Sequence, residues 1–303
     1  MMYDVSWKYD TLREASAQAK ILLSKESIQA IKEGKVPKGD VLSVARTAGI
    51  IAAKRTGEII PLCHNIPIDH IAIDFEIGEN ELIIRSNVKA IWKTGVEMEA
   101  LTAVAIASLA VYDMLKPIDD NITISEIKLI HKKGGKSDFR VELERRIKAG
   151  IVVISDSVSA GTREDKSGRV IEEELKKWDV EVVSYKILPD DIDQIEKELI
   201  RLADELKVDL IFTTGGTGLG PRDVTPEATK KVIDKEVLGI IEAARMYSQK
   251  RIPLAMLSRA IAGVRKNTLI INIPGSPRAA KEYMIVLFPA IFHAFKIIEG
   301  GGH

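Results

Sequence analysis

Three short apolar runs, "GIVVISD" from 150, "VDLIFTTGG" from 208 and "TLIINIPG" from 268, constrain the fold of this chain most. A strand that is apolar on both faces must be covered on both. Here such runs alternate with amphipathic helical segments, "SGRVIEEELKKW" and "DQIEKELIRLADELK". That alternation predicts a parallel sheet between two helical layers. "VEVVSYKILPD" adds a strand, "TPEATKKVI" starts a further helix, and a long helix is expected to close the chain. Residues 150–303 are therefore expected to form an α/β three-layer domain with a mostly parallel sheet.

The first half has a different rhythm. Residues 11–34 show helical apolar spacing with a stop at Gly34, and 68–91 read as two strands around Gly78-Glu79-Asn80. A helix is expected from about Val96 to Lys116, then a strand over 121–133. This predicts an α+β domain over residues 1–145, joined to the second through the short charged segment "ERRIKAG" at 144–150. A chain of 303 residues is long enough for two cores.

Lysine plus arginine and aspartate plus glutamate both number 44, so no excess charge favours nucleic acid or an anionic membrane as partner. The single cysteine, Cys63, allows no internal disulfide or iron–sulfur ligand set and suits a reducing compartment. The opening "MMYDVSWKYD" lacks the apolar core of a signal peptide. The apolar run at 101–115 is shorter than the ~20 residues that span a bilayer and is interrupted by Asp113. A soluble, cytoplasmic protein is expected.

Chemistry concentrates first in "TTGGTGLGPRDVTPEAT" at 213–229. Gly215, Gly216, Gly218 and Gly220 follow a buried strand and precede Thr225-Pro226, which resembles an N-cap with a first-turn proline. Glycines there let backbone amides approach an anion. The Walker pattern fails for want of the Lys-Ser/Thr pair, and the dinucleotide fingerprint fails at Pro221. Asp223 would repel a phosphate unless a cation such as Mg²⁺ lay between them. The other reading is a tight turn with Asp223 capping a helix.

Together "SDSVSAG", "ILPDD", "TTGGTGLGPRDVTPEAT" and "LSRAIAGVRKNTLIINIPGSP" resemble the molybdopterin adenylyltransferase family of the MogA/MoaB type over almost all of residues 150–300. The resemblance implies adenylation of the terminal phosphate of molybdopterin, with ATP as co-substrate and Mg²⁺ as cofactor. Asp190 and Asp223 match its functional aspartates and would be catalytic and metal-binding. Thr214, Gly215, Gly216 and Thr217 would line the phosphate site, with Ser258 and Ser276 near the pterin or nucleotide. Taken alone, Asp190 reads better as a strand-end turn residue, and serines before such turns often cap helices.

In the first half, Asp113 and Lys116 are i,i+3 neighbours near a helix end. If partly buried, the pair could hold the lysine near a useful pKa; otherwise it is an ordinary ion pair. Glu97 and Glu99 sit at the other end of that helix, where its dipole favours carboxylates. Glu99 and Asp113 are fourteen residues apart, about 21 Å along a straight helix. One small pocket cannot take both from one copy, so a site shared between subunits is expected. Cys63, His64 and His70 lack zinc-ligand spacing, and His64 reads as a hydrogen-bonding group or proton donor.

The stretches "YDVS", "REA", "KGDV", "ARTAGI", "AAKRT", "IPLCH", "KTGVEMEALTA", "YDMLK" and "GGKSDF" resemble the cyclic pyranopterin monophosphate synthase family of the MoaC type over about residues 2–143. Asn65 and the shortened "GGKSDF" depart from its usual pattern. The resemblance implies a ferredoxin-like fold, hexamers with sites between subunits, and no cofactor for this half. The implied reaction converts 3',8-cyclo-7,8-dihydro-GTP to cyclic pyranopterin monophosphate and pyrophosphate. By it Asp113 is catalytic, with Lys38 and Lys116 in acid/base roles. Leu62, Cys63, His64, Glu97, Met98 and Glu99 would contact the pterin, and Arg13, Lys54 and Lys132 the triphosphate.

The combined expectation is a bifunctional molybdenum cofactor biosynthesis enzyme acting on small pterin and nucleotide substrates. It would form a homo-oligomer with three-fold symmetry, trimer or hexamer, with no nucleic-acid or membrane partner. The rival is an active synthase fused to a non-catalytic pterin-binding scaffold.

Overall fold

Ala15, Ala17, Ala19 and Ile21 alternate with Glu14, Ser16, Gln18 and Lys20, and in the structure the first set is fully buried. The computed structural model, which describes residues 1–301, shows this segment as a strand, β1 (Thr11–Leu22), rather than the expected helix. Alanine favours helices in isolation, but β1 lies between two partner strands and has ladder bonds on both sides. The helix starts only at Ser24, whose hydroxyl caps α1 (Lys25–Glu33) by accepting from the Ser27 N–H. Gly34 ends it in the left-handed conformation, as the sequence indicates.

The chain divides into two compact units, Met1–Asp138 and Phe139–His303. In the first, α1 is followed by α2 (Val41–Lys54), the short α3 (Thr56–Ile59), β2 (His70–Ile77) and β3 (Glu81–Trp92). The β2–β3 hairpin closes where expected, the Gly78 N–H donating to Glu81 O at 2.8 Å. Then come α4 (Glu97–Leu115) and β4 (Thr123–Gly134). The sheet order is β2-β3-β1-β4, antiparallel throughout.

Helix α4 starts at Glu97, so its 19 residues exceed the apolar run read from the sequence. It is long and apolar enough to cross a membrane by composition, yet Ala100, Ala103, Val104, Ala107 and Val111 are fully buried. They pack in one core with α2, β1 and β3. Gly49 of α2 permits the close helix crossing: a Cβ there would lie 2.5 Å from Ile73 Cδ1 and 2.8 Å from Ala103 O.

The second unit runs β5 (Lys148–Ile154), the short α5 (Asp156–Ser159), α6 (Ser167–Lys177), β6 (Glu181–Leu188) and α7 (Ile192–Ile200). Next are β7 (Leu210–Thr214), α8 (Thr225–Val232), β8 (Lys235–Glu236) and α9 (Leu238–Gln249). It ends with β9 (Ala262–Arg265), β10 (Thr268–Ile273), α10 (Pro277–Leu287) and α11 (Phe292–Ile298). The sheet order is β6-β5-β7-β10-β9-β8; the first four strands are parallel, and β9 and β8 extend it antiparallel. The expected single final helix is two helices, because Pro289 lacks the N–H a helix needs and disfavours helical geometry at Phe288.

The apolar runs divide residue by residue between two cores. Ile151, Val153, Leu210, Phe212, Leu269 and Ile271 face α6, α9 and α10, while Val152, Ile154, Ile211 and Ile270 face α7 and α8. Full burial of each such large side chain contributes about 1.5–3 kcal/mol. The connection from β5 leads outward to β6, and the next returns across β5 to β7. The chain reverses direction there, at the edge where open α/β sheets bind ligands.

Gly49→Val should destabilise the first unit by about 1–3 kcal/mol through overpacking. A lower urea midpoint with faster amide exchange in α2 and α4 is the expected result; an unchanged midpoint would show that the helix crossing can spread.

Candidate functional site

At the reversal point the carboxyl ends of β5 and β7 lie side by side. Gly215, with φ +105°, passes so close to β5 that a Cβ would meet Ile154 O at 2.0 Å. No other residue fits this backbone without displacing β5. Thr225 begins α8 instead of capping it: its hydroxyl donates to Gly215 O at 2.8 Å and its N–H to Gly216 O at 3.0 Å. These bonds close the glycine loop back onto its own start.

Thr214, Gly215, Gly216, Asp190 and Asp223 line one cavity of about 230 Å³, together with Gly275. Asp190 follows β6. It exchanges backbone-to-carboxylate bonds with Asp156, at 2.9 and 3.0 Å, and Arg222 binds Asp156 with two nitrogens at 2.9 and 3.1 Å. Burial raises the Asp190 carboxyl above its ordinary value, and the charges of Asp156 and Asp223 add to that rise. Asp223 accepts the Gly220 N–H at 2.7 Å, so it closes its own turn and does not cap α8.

Among the described residues no three histidine, cysteine or acidic side chains converge as a complete metal-ligand set. Two carboxylates beside an amide-rich loop still suit Mg²⁺, which usually keeps waters and takes one or two carboxylates plus phosphate oxygens. The crowding of Asp190 by two other carboxylates is what a cation would relieve.

The remaining positions are less central. Thr217 is buried, and its carbonyl accepts from the Arg259 N–H at 2.9 Å. Ser276 caps α10, accepting from the Ala279 N–H at 3.1 Å. The Ser258 hydroxyl accepts from the Ala260 N–H at 3.3 Å. Sequence reasoning left Asp156, Arg222 and Arg259 unassigned; the quoted "SDSVSAG", "GPRD" and "LSRA" segments contained them.

The charged candidate residues of the first unit gather at the two ends of α4. At the carboxyl end, Lys38 Nζ lies 2.8 Å from Asp113 Oδ2 and Lys116 Nζ 2.8 Å from Asp113 Oδ1. Lys116, then Lys38, hold the Asp113 carboxyl down at about 2. The pair is exposed, and Asp113 raises the Lys116 pKa instead of lowering it. In this arrangement Lys116 stays charged and is not the depressed lysine that partial burial would have made.

At the amino end, Arg13 donates to Trp92 O at 3.2 Å and Lys93 O at 3.3 Å. Lys132 Nζ is 3.4 Å from Glu97 Oε1, and Arg13 also feels the Glu97 charge. Glu97 thus stands with the basic residues. Glu99 is only 3% exposed, and its Oε2 has no hydrogen-bond partner. Burial pushes its carboxyl up to about 7. Burial also raises the Cys63 thiol, with a further contribution from Glu99, so a reactive thiolate is disfavoured.

His64 is half-buried within electrostatic reach of Asp4, while Leu62 and Met98 are exposed. Lys38 meets Asp113, and Gly49 meets Ala103 and Ala107, so α2 runs antiparallel to α4 and brings Lys54 to the Glu97 end. The two groups remain separated by an unbroken helix.

Two family models match the chain: the MoaC family over residues 2–135 and a probable molybdopterin binding domain over residues 150–293. A molybdenum cofactor biosynthesis bifunctional protein of Chlorobaculum tepidum is 42% identical over 302 residues, covering 100% of this chain and 96% of that protein. The protein of the same description from Synechococcus elongatus is 36% identical over 319 residues, with 100% and 98% covered. A cyclic pyranopterin monophosphate synthase of Peptoclostridium acidaminophilum is 53% identical over 136 residues, 45% of this chain and 87% of that protein.

The raised Glu99 carboxyl gives a pH test. Its folded form prefers the proton, so its stabilising contribution is complete below about pH 4.5 and is lost as pH rises through about 7, a cost of about 3 kcal/mol on the alkaline side. Glu99→Gln should flatten the decline in melting temperature between about pH 5 and pH 8. An unchanged slope in the variant would place the titrating group elsewhere.

Proposed function

The chain belongs to the bifunctional molybdenum cofactor biosynthesis proteins, and on that premise we propose which residues carry each of its two reactions. The first unit is a cyclic pyranopterin monophosphate synthase, converting 3',8-cyclo-7,8-dihydro-GTP to cyclic pyranopterin monophosphate and pyrophosphate. The observation carrying this reading is the Lys38–Asp113–Lys116 group, whose pKa directions keep Asp113 ionised and Lys116 protonated at neutral pH. Such a group orients a substrate and donates protons. Arg13, Lys132 and Lys54 bind the triphosphate through charge-assisted bonds. Glu97, Met98, Glu99, Leu62, Cys63 and His64 form the pterin wall, Glu99 supplying an unpaired buried oxygen. No cofactor is required in this unit. Its strand order β2-β3-β1-β4, with helices between β1 and β2 and between β3 and β4, supports a ferredoxin-like reading.

Because α4 separates Asp113 from Glu99 by about 21 Å, each synthase site takes its two ends from different copies. This supports a homo-oligomer, for which we infer three-fold symmetry, as a trimer or hexamer.

The second unit adenylates molybdopterin. An oxygen of the terminal pterin phosphate attacks the α-phosphorus of ATP, the bond to the bridging oxygen breaks, and pyrophosphate leaves. The 230 Å³ cavity with Asp190, Asp223 and the loop from Thr214 supports this reading. The cavity beside the glycine loop would hold the phosphates, with Ser258 and Ser276 toward the pterin or nucleotide. Mg²⁺ held by Asp223 and Asp190 would neutralise phosphate charge. The side chains position and shield the reactants, and none needs to act as a nucleophile.

Asp223→Ala should abolish ATP-, Mg²⁺- and molybdopterin-dependent pyrophosphate release while leaving cyclic pyranopterin monophosphate formation intact; Asp113→Ala should do the reverse. No release even from the native protein would favour the scaffold reading. Mixing Asp113→Ala with Arg13→Ala subunits should restore part of the synthase activity, because some sites then receive both native ends. Complete inactivity of a mixture shown by mass to contain mixed oligomers would overturn the shared site.

A further inference from the structure

Arg259 stands outside the cavity, on the segment leading into β9, yet it touches the loop at both ends. Its own N–H donates to Thr217 O at 2.9 Å, its Nε to Gly218 O at 2.7 Å and its Nη2 to Asp223 O at 2.6 Å. Glu227, in the first turn of α8, binds the outer guanidinium nitrogens and fixes their orientation. One residue therefore gathers three carbonyls from a loop of seven positions, 217 to 223.

The consequence follows from peptide geometry. A trans peptide points its C=O and the following N–H in opposite directions, and the only cis bond recorded among the described residues is Phe288-Pro289. Holding the carbonyls of Thr217 and Gly218 on Arg259 therefore turns the Gly218 and Leu219 amides away from it. The third bond sets the backbone of Asp223, and so the origin of a side chain that lines the cavity. With Gly218 and Gly220 inside it, the free loop has high conformational entropy and no preferred set of amide directions.

We propose that Arg259 is the positioning residue of the adenylyl-transfer loop, holding amides and the Asp223 carboxylate in the arrangement that receives the triphosphate of ATP. The inference rests on the adenylyl-transfer reading of the second unit. Arg259 touches no reacting atom; it acts through the loop. Its planar fork reaches carbonyls and a carboxylate in several directions at once, which a lysine ammonium on a single flexible stem cannot reproduce. The side chain is about one-third exposed and outside both apolar cores of the unit, so its loss should loosen the loop without unfolding the sheet.

The test uses the full-length chain, with the synthase reaction of the first unit as an internal control for concentration and integrity. Arg259→Ala should lower kcat for molybdopterin-dependent pyrophosphate release by about 100-fold and raise the Mg²⁺ concentration needed for half-maximal rate. Melting temperature and synthase activity should stay native. Arg259→Lys should keep the charge but recover little of kcat, whereas added guanidinium should restore part of the Arg259→Ala rate. A native kcat and Mg²⁺ dependence in Arg259→Ala would overturn the inference while leaving adenylyl transfer standing. Full recovery by Arg259→Lys would reduce the residue to a surface charge and equally overturn it. If native protein releases no pyrophosphate, the adenylyl-transfer reading itself falls and takes this inference with it.

Discussion

Double-sided burial of the central parallel strands is the constraint on which the second unit depends. Residues of β5, β7 and β10 alternate between two cores, so a one-residue slip would exchange the residues of those cores. With the register held in this way, the carboxyl ends of β5 and β7 come level, and the chain reversal between them leaves an opening. Gly215 occupies it because Ile154 O leaves no space for a side chain. The Asp190 and Asp223 arrangement then follows from where the strands stop.

A different constraint governs the first unit. Its candidate site residues are divided by α4, a rod with charged groups at both ends and a nearly uninterrupted apolar body. The apolar body belongs to a core shared with α2 and the sheet. The ends therefore cannot fold toward each other. Lys38, Asp113 and Lys116 form a group with one net positive charge at one end, and the basic residues around Glu97 form the other. The separation is the observation from which the proposed shared site is argued.

Legibility in the sequence varied with the kind of signal. The buried strands of the second unit, the hairpin at Gly78 and the long helix before Lys116 were readable, because periodicity and turn residues are local properties. Strand β1 was misread because alanine carries little β signal of its own, and partner strands on both sides decided its conformation. Strands β8 and β9, of two and four residues, were too short to show a period. Within the candidate sites, Asp190 with Asp223 and Asp113 with its two lysines are neighbours in the structure. Arg259 was invisible in that role because its importance lies in three carbonyls, and carbonyls have no residue letter.

The sequence by itself determined two units, the glycine loop at a strand end, and a fourteen-residue spacing that a helix cannot close. These follow from patterns within one segment at a time. Tertiary structure alone decided that Asp190 meets Asp156 and the glycine loop, that Glu97 stands with Lys132, and that Glu99 is buried with an unpaired oxygen. Each joins segments distant in the chain. Coulomb attraction, desolvation and hydrogen bonding depend on separations in space, which exist only once the cores have packed.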